Sequence, residues 1–485
     1  MTVTQGTILK TICLFMVVAV VAGCGGRPDA KADDRGDDSE NRLARVAAGL
    51  QQPLVIEGQE VERWAIEDRM RRFAVPAVSA AVIDDGRLAA AGAWGAIVAG
   101  SDEPVTTETM FQAGSISKPV SALLALALVG DGALQLDRPV NDVLRSWRVP
   151  DNELTRAVPV TLRHVISHQA GLTPYGYLIP RNASSVPGMA ELLRGEPYDW
   201  PAVTGEFEPG SRHAYSNSGY CVLQLVLEDA SNRSLRELAV QRMFDRLEMH
   251  HSTFDEPLEP ALLAAAASGH TRGPAVEGSP REPVPVEGKA EIAPAATGGL
   301  WSTPSDLARL AVEVLRARRG ESELLIPREL AEEFLTRQVA SEGLGIHLEG
   351  EGPALRARHG GGMVGFVAHL VFYPNVGKGA VVMSNSDGGR WVNRELIAAI
   401  AHEYGWPGFP VRRSLGTVSP AQIGELVGVY TLDAAPSATF TVTLENGTAV
   451  GQINQYPPFA MTPTSEPDLF VLGRESLEIE FGRGQ

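Results

Sequence analysis

A chain of 485 residues, with 44% hydrophobic and 21% charged side chains, is long enough to bury a large core and to fold as two or three units. Its formal net charge of -17 speaks against a nucleic-acid partner, because phosphate backbones are held by surplus Lys and Arg. Composition thus leaves a globular protein acting on small molecules, peptides or other proteins.

The N-terminal segment carries Lys10 and then an apolar stretch from Ile12 to Ala22, which fits a signal peptide over residues 1–23 and is short for a membrane span. It closes on Val21-Ala22-Gly23-Cys24, a pattern similar to the bacterial lipobox. The expectation is an exported lipoprotein anchored in a membrane through acylated Cys24, facing the periplasm, with sorting to an outer membrane because Gly25 rather than Asp follows. Cys13 leaves with the signal peptide, so Cys221 remains without a partner for an intramolecular disulfide. Residues 24–50, with Asp29, Asp33, Asp34, Asp37, Asp38 and Glu40, read as a disordered acidic tether.

Helical spacing runs from Gln59 to Phe73 and stops at Pro76. Ala77 to Ile83 and Leu88 to Trp94, joined by Asp84-Asp85-Gly86, read as a β-hairpin. Helical patterns dominate Ser115 to Leu247, clearest over Ser218 to Asp229 and Leu235 to Phe244, and return at Ser305 to Arg318 behind Pro304. Gly365 to Tyr373 and Gly379 to Met383 read as strands joined at Pro374-Asn375, followed by a closing helix from Val392 to Tyr404. Strands at both ends of residues 51–412 thus enclose a helical middle, which predicts one mixed sheet with a helical insertion beside it. Residues 415–485 carry short β-type runs (Leu426 to Leu432, Ala438 to Leu444, Ala449 to Ile453, Leu469 to Leu472, Leu477 to Phe481) and read as a small antiparallel β domain.

Lysine is scarce: Lys10, Lys31, Lys118, Lys289 and Lys378 are the whole set, so Arg supplies nearly all positive charge. Arg keeps its proton at working pH, whereas a desolvated Lys can lose it. Lys118 stands three residues after Ser115 in Gly114-Ser115-Ile116-Ser117-Lys118-Pro119. On a helix starting there the amine shares a face with the hydroxyl and can activate it as a nucleophile. Taken alone, Ser-x-x-Lys is a common accident. Tyr215-Ser216-Asn217 adds a phenol that can relay protons and an amide that can bind substrate. His359-Gly360-Gly361-Gly362, read as a loop before the following strand, adds glycines that let substrate lie along a strand edge and an N–H for an oxyanion.

The three groups, in this order, resemble the Ser-x-x-Lys, Tyr-x-Asn and Lys-Thr-Gly elements of the penicillin-recognising serine enzymes, in particular the class C β-lactamase type. The resemblance extends over about 350 residues, through Phe111 to Pro119, Thr161 to Leu172, Phe207 to Tyr220, Thr297 to Leu310 and His359 to Tyr373. It implies an α+β fold, an antiparallel sheet flanked by helices with an all-helical subdomain, and a C-terminal unit similar to small lipocalin-like barrels. It also implies a serine hydrolase, without cofactor, in which Ser115 is acylated and Lys118 and Tyr215 move protons. Asn217, His359, Gly360 and Gly361 then bind substrate, and the N–H groups of Ser115 and Gly362 form the oxyanion hole. Which of Lys118 and Tyr215 is the base stays open.

His359 and Gly360 stand where the β-lactamase branch has a Lys and a Thr for the substrate carboxylate. Esters and D-amino-acid derivatives are therefore expected to be turned over ahead of β-lactams, with carboxylate substrates gaining at low pH as His359 becomes protonated, and peptidoglycan-like peptides are a further expected substrate class. A catalytically weak protein that binds or senses peptidoglycan-like ligands is the alternative. His164 and His168 are spaced as a zinc pair, but neither an intervening acid nor a convincing third ligand accompanies them, so no metal is expected. Gly-x-Ser-x-Gly, the mark of an α/β-hydrolase, does not occur.

Overall fold

The computed structural model describes residues 35–173, 179–180, 187–196, 200–255, 258–274, 279–286, 291–432, 435–445, 447–454, 458–472 and 477–481. The lipobox and Cys24 lie outside these residues.

In chain order the elements that build the site are α1 (Arg35–Ala48), α2 (Ile66–Phe73), β1 (Ala77–Asp84), β2 (Arg87–Gly95), α3 (Ser117–Gly130), α4 (Asn217–Ser231) and α5 (Pro304–Arg318). They continue with β3 (His347–Glu349), β4 (Arg356–Met363), β5 (Phe366–Tyr373), β6 (Lys378–Ser384) and α6 (Gly389–Glu403). The strands form one antiparallel sheet in the order β3-β4-β5-β6-β1-β2, so the N-terminal hairpin completes a sheet begun more than 250 residues later.

Strand periodicity sorts side chains to two cores. On β1, Ala77, Ala81 and Ile83 join the larger core with α3, α4 and α5, while Val78, Ala80 and Val82 join a second core with α6. On β6, Val381 and Met383 face the first and Ala380 and Val382 the second. The sheet is thus covered on both faces, as the alternation of apolar residues on every inner strand requires. α3 carries buried side chains on all sides, because the sheet lies on one flank and the helical subdomain on the other.

Two sequence expectations are corrected. The stretch read as tether is helical over Arg35–Ala48. Its acidic composition hid a stripe, Leu43, Val46, Ala47 and Leu50, that packs into the second core, and Arg42 donates to the Glu403 carbonyl at 3.0 Å. The helix expected from Gln59 begins only at Ile66, because Trp64 exchanges backbone hydrogen bonds with Leu50 at 2.8 and 2.9 Å and is held extended.

The C-terminal unit is a meander of β7 (Gly428–Leu432), β8 (Ala435–Glu445), β9 (Thr448–Ile453), β10 (Phe459–Pro463), β11 (Leu469–Leu472) and β12 (Leu477–Glu480) in sequential order. β10 escaped the sequence reading because Pro457, Pro458 and Pro463 mask it as a loop. The sheet curls until the rings of Tyr430 and Phe481 stand 5.0 Å apart, yet no ladder joins β7 to β12 among the described residues. It is a half-barrel rather than the closed barrel that a lipocalin-like unit implies.

Candidate active site

A 3-10 turn, Gly114–Ile116, leads into α3 and places Ser115 where first-turn N–H groups have no acceptor within the helix. Ser117 holds this turn from beneath, donating to the Gly114 carbonyl at 2.7 Å and accepting from Leu300 N–H at 3.0 Å. One turn further, Lys118 is fully buried. Its Nζ donates to Ser115 Oγ at 3.1 Å and to the Thr297 carbonyl at 2.8 Å. Desolvation dominates its electrostatics and lowers its pKa from 10.5 to about 7, with the Cys221 thiol acting in the opposite sense. The amine expected to be deprotonable is therefore poised at neutral pH.

Tyr215 precedes α4 and is exposed, with its ring 4.9 Å from Lys118 Nζ and its hydroxyl hydrogen-bonded with Ser115. Desolvation raises the phenol to about 12 despite that hydrogen bond, so it stays protonated where Lys118 is half neutral. The two candidate bases are thereby separated. Asn217, the first residue of α4, is half-buried, and its amide makes no hydrogen bond to a described residue.

His359, Gly360, Gly361 and Gly362 lie within β4, not in a loop. The β3 ladder ends at the His347–Arg358 pair, so from His359 onward the outer edge of β4 has no strand partner among the described residues. This exposed edge is the one that substrate was expected to use. The glycines divide the work. A Cβ on Gly361 would stand 1.9 Å from the Ala113 carbonyl oxygen, and one on Gly114, at φ +52°, would stand 2.6 Å from Gly362 N. Only backbone without side chains lets the strand press on the nucleophile turn. Gly360 and Gly362 face open space.

His359 Nδ1 donates to the Gly360 carbonyl at 2.7 Å. Desolvation, then the nearby Lys118, lowers its pKa to about 3. The expectation that mild acid protonates it is corrected: a second positive charge beside Lys118 is disfavoured, so the ring stays neutral over the working range. His164 and His168 part company too. His164 Nδ1 accepts from Thr161 N–H at 3.3 Å at the start of its short helix, whereas His168, past that helix at φ +57°, accepts from Ser216 N–H at 3.1 Å and stacks at 4.5 Å on Tyr215.

The sequence reading had missed the Thr297 carbonyl, since any residue supplies one, and the role of His168 in holding the Tyr215 segment. Near the Tyr215 segment, Glu342 Oε2 lies 2.8 Å from His347 Nδ1 and 3.9 Å from His213 Nε2. A cleft of about 430 Å³, walled by Arg356, Arg358, His369, Ile397 and Phe409, reaches His359 and Gly360 but none of Ser115, Lys118 and Tyr215.

A serine at a helix N-terminus, a desolvated lysine at hydrogen-bond distance and a phenol opposite define a serine acyl-transfer site on a two-layered α+β scaffold. The Beta-lactamase family model matches residues 63–404, well over half of the chain, and the chain belongs to that family. It is 24% identical over 403 residues to penicillin-binding protein 4* of Bacillus subtilis, covering 79% of this chain and 84% of that one. To a D-aminopeptidase of Cereibacter sphaeroides it is 26% identical, over 68% of this chain and 61% of the relative. Penicillin-binding protein 4 of Amycolatopsis lactamdurans is 29% identical over 49% of this chain and 58% of its own length. The chain thus spans about three fifths of these last two relatives. Among solved structures, that of SurE superposes with a TM-score of 0.60 at 23% identity, covering 92% of this chain and 95% of that one, which establishes a shared fold.

Proposed function

We propose that the chain is a serine hydrolase that passes through an acyl-Ser115 intermediate and prefers esters and D-amino-acid amides to β-lactams. The observation that carries this reading is the 3.1 Å contact between Ser115 Oγ and a buried amine with a pKa of about 7. Ser115 Oγ attacks the carbonyl carbon while its proton passes to neutral Lys118 Nζ. The tetrahedral oxyanion is held by the N–H groups of Ser115 and Gly362. Tyr215 gives its phenolic proton to the leaving nitrogen or oxygen as the bond to carbon breaks, and recovers one from the Lys118 ammonium. Water then attacks the ester, its proton following the same route, and frees Ser115. Asn217, with its unengaged amide at the mouth of the site, binds the acyl side of the substrate.

The preference over β-lactams is supported by the neutral state of His359 and the missing hydroxyl at Gly360, which leave a carboxylate with no fixed cation on β4 facing Lys118. A charge-assisted hydrogen bond contributes ~1.5 to 3 kcal/mol, so its loss lowers kcat/KM roughly ten- to hundredfold for carboxylate substrates. The test compares kcat/KM for p-nitrophenyl butyrate, a D-alanine amide and a chromogenic cephalosporin on one preparation. A cephalosporin value more than about tenfold above both others overturns the preference.

Export and lipid anchoring at Cys24 belong to the same proposal and rest on Val21 to Cys24 alone. Metabolic labelling with palmitate is expected to mark the wild-type protein and to be lost in Cys24→Ala. Label that persists in the variant overturns the anchor.

A further inference from the structure

Tyr215 presents its phenol to Ser115 from a stretch, residues 213–216, that belongs to no helix or strand. One residue outside the stretch holds it. The carbonyl of His168 accepts from Ala214 N–H at 2.8 Å, and Nδ1 of its ring accepts from Ser216 N–H at 3.1 Å. The same ring packs on Tyr215, with 4.5 Å between centroids. His168 thus grips the chain on both sides of the phenol and lies against the phenol itself. The clamp is anchored in turn. Its ring stands 5.1 Å from that of Tyr220, whose hydroxyl donates to the Ile166 carbonyl at 2.9 Å and ties α4 to the short helix before His168.

Two features indicate that the ring of His168 is kept for this contact. First, the residue sits at φ +57°, a left-handed conformation that Gly or Asn adopts at little cost and that is uncommon for other residues with a Cβ. Strain retained beside a reacting group points to a task for the side chain. Second, acceptance at Nδ1 places the proton of the neutral ring on Nε2, which has no acceptor among the described residues although the residue is only 2% exposed. An apolar side chain would fill the space without that cost, but it could not accept from Ser216. Burial first, and Lys118 after it, hold the ring in the neutral form that the bond to Ser216 requires.

We propose that His168 is a positioning residue that decides which leaving groups the site can expel, by holding Tyr215 where its phenol protonates a poor one. This deepens the hydrolase reading and rests on it for the role of Tyr215. When the C–N bond of an amide breaks, its electron pair stays on nitrogen and must be protonated, because an amide anion is too basic to leave. The proton comes from Tyr215, and the phenolate takes one from the Lys118 ammonium. When the C–O bond of a p-nitrophenyl ester breaks, the pair stays on a stable phenolate and no proton is needed. Attack by Ser115 itself uses Lys118 and the N–H groups of Ser115 and Gly362, none of which is hydrogen-bonded to His168. Loosening the clamp therefore removes amides from the substrate range and leaves activated esters within it.

The test compares D-alanine p-nitroanilide with D-alanine p-nitrophenyl ester, which share the acyl group and differ in the leaving atom, on wild type, His168→Gly and His168→Asn. Gly keeps the left-handed backbone and removes the ring. Asn also tolerates that backbone, and its Oδ1 can accept from Ser216 N–H. His168→Gly is expected to lower kcat/KM for the anilide by at least ~10²-fold and for the ester by less than about threefold, and His168→Asn to recover at least about tenfold of the anilide loss. In a Tyr215→Phe background, His168→Gly should cost the anilide nothing further. Equal losses on both substrates, no recovery in His168→Asn, or losses that add to that of Tyr215→Phe overturn the proposal. The clamp is also read without turnover, by amide hydrogen exchange. Ser216 N–H is expected to be protected in wild type, to exchange at least about tenfold faster in His168→Gly, and to be protected again in His168→Asn. Wild type alone can overturn the proposal, by a Ser216 amide that exchanges freely or by turnover of the ester without the anilide, so a variant that fails to fold does not shelter it. Wild type that hydrolyses neither substrate yet protects Ser216 instead overturns the hydrolase reading and leaves the clamp standing.

Discussion

The two walls of the cleft are built on different principles. On one side, β4 and the Ser115 turn meet backbone to backbone, with Gly114 and Gly361 leaving no room for a methyl group at the contact. On the other, Tyr215, His168, His213, His347 and Glu342 meet through side chains, and three imidazole nitrogens are left without hydrogen bonds. The tight wall fixes atoms that move electrons and protons, where misplacement by an ångström costs rate. The looser wall can be changed without disturbing the nucleophile, which suits it to substrate choice. Chemistry and specificity are thereby assigned to opposite faces of one groove.

Substitutions can break this division. The largest effect is expected from Lys118→Arg on the tight wall, which keeps charge but cannot give up a proton and should lower kcat by at least ~10²-fold. Full activity in that variant removes Lys118 as the base. In wild type, kcat/KM for a neutral ester should rise with pH through about 7, as the neutral amine becomes populated. A profile that instead rises only near pH 10 assigns the base elsewhere.

Next in size, Gly361→Ala brings a methyl group to 1.9 Å from the Ala113 carbonyl and should cost about 1 to 3 kcal/mol of stability, with activity falling as the strand is displaced. Gly360→Ala, whose methyl group meets open space, should stay within about 0.5 kcal/mol. Equal effects at the two positions, read by thermal melts, contradict the close-packed wall.

Lys118 also makes the tight wall a source of instability. Its folded pKa of about 7 lies below its ordinary 10.5, so between those values the unfolded chain holds a proton that the folded chain lacks. The cost of burial is fully present below about pH 7 and fades as pH rises toward 10.5. The Tm of Lys118→Met relative to wild type should therefore be highest near pH 6 and decline toward pH 10. A difference that does not change with pH contradicts the depressed pKa.

The smallest expected change concerns His359. With its pKa near 3, the ratio of kcat/KM for a carboxylate substrate to that for a neutral ester should stay flat from pH 7 to 5. A rise of several-fold over that interval restores a protonated His359 as a carboxylate receptor.

Much of the tight wall was legible in the sequence because local spacing encodes it. Ser115 and Lys118 share a helical face by arithmetic, and Gly360 to Gly362 announce a close backbone approach, although the strand they belong to was read as a loop. The sheet was legible for the same reason, since alternation marks β1, β5 and β6 one strand at a time. The looser wall was not. Glu342, His213 and His168 come together from segments about 45 and 130 residues apart in chain number, and each alone reads as a surface or core residue. The Thr297 carbonyl carries no side-chain signal at all. α1 was lost for an opposite reason: its acidic face set the composition, while Leu43, Val46 and Leu50, the residues that dock it, are few.

The central claim is that Ser115 becomes covalently acylated through Lys118. Intact-mass spectrometry after exposure to a fluorophosphonate, followed by peptide mapping, tests it most directly. The adduct is expected on Ser115 in wild type, at a labelling rate that increases through about pH 7, and is expected to be absent in Ser115→Ala. An adduct on any other residue, or undiminished labelling of Ser115→Ala, contradicts the account.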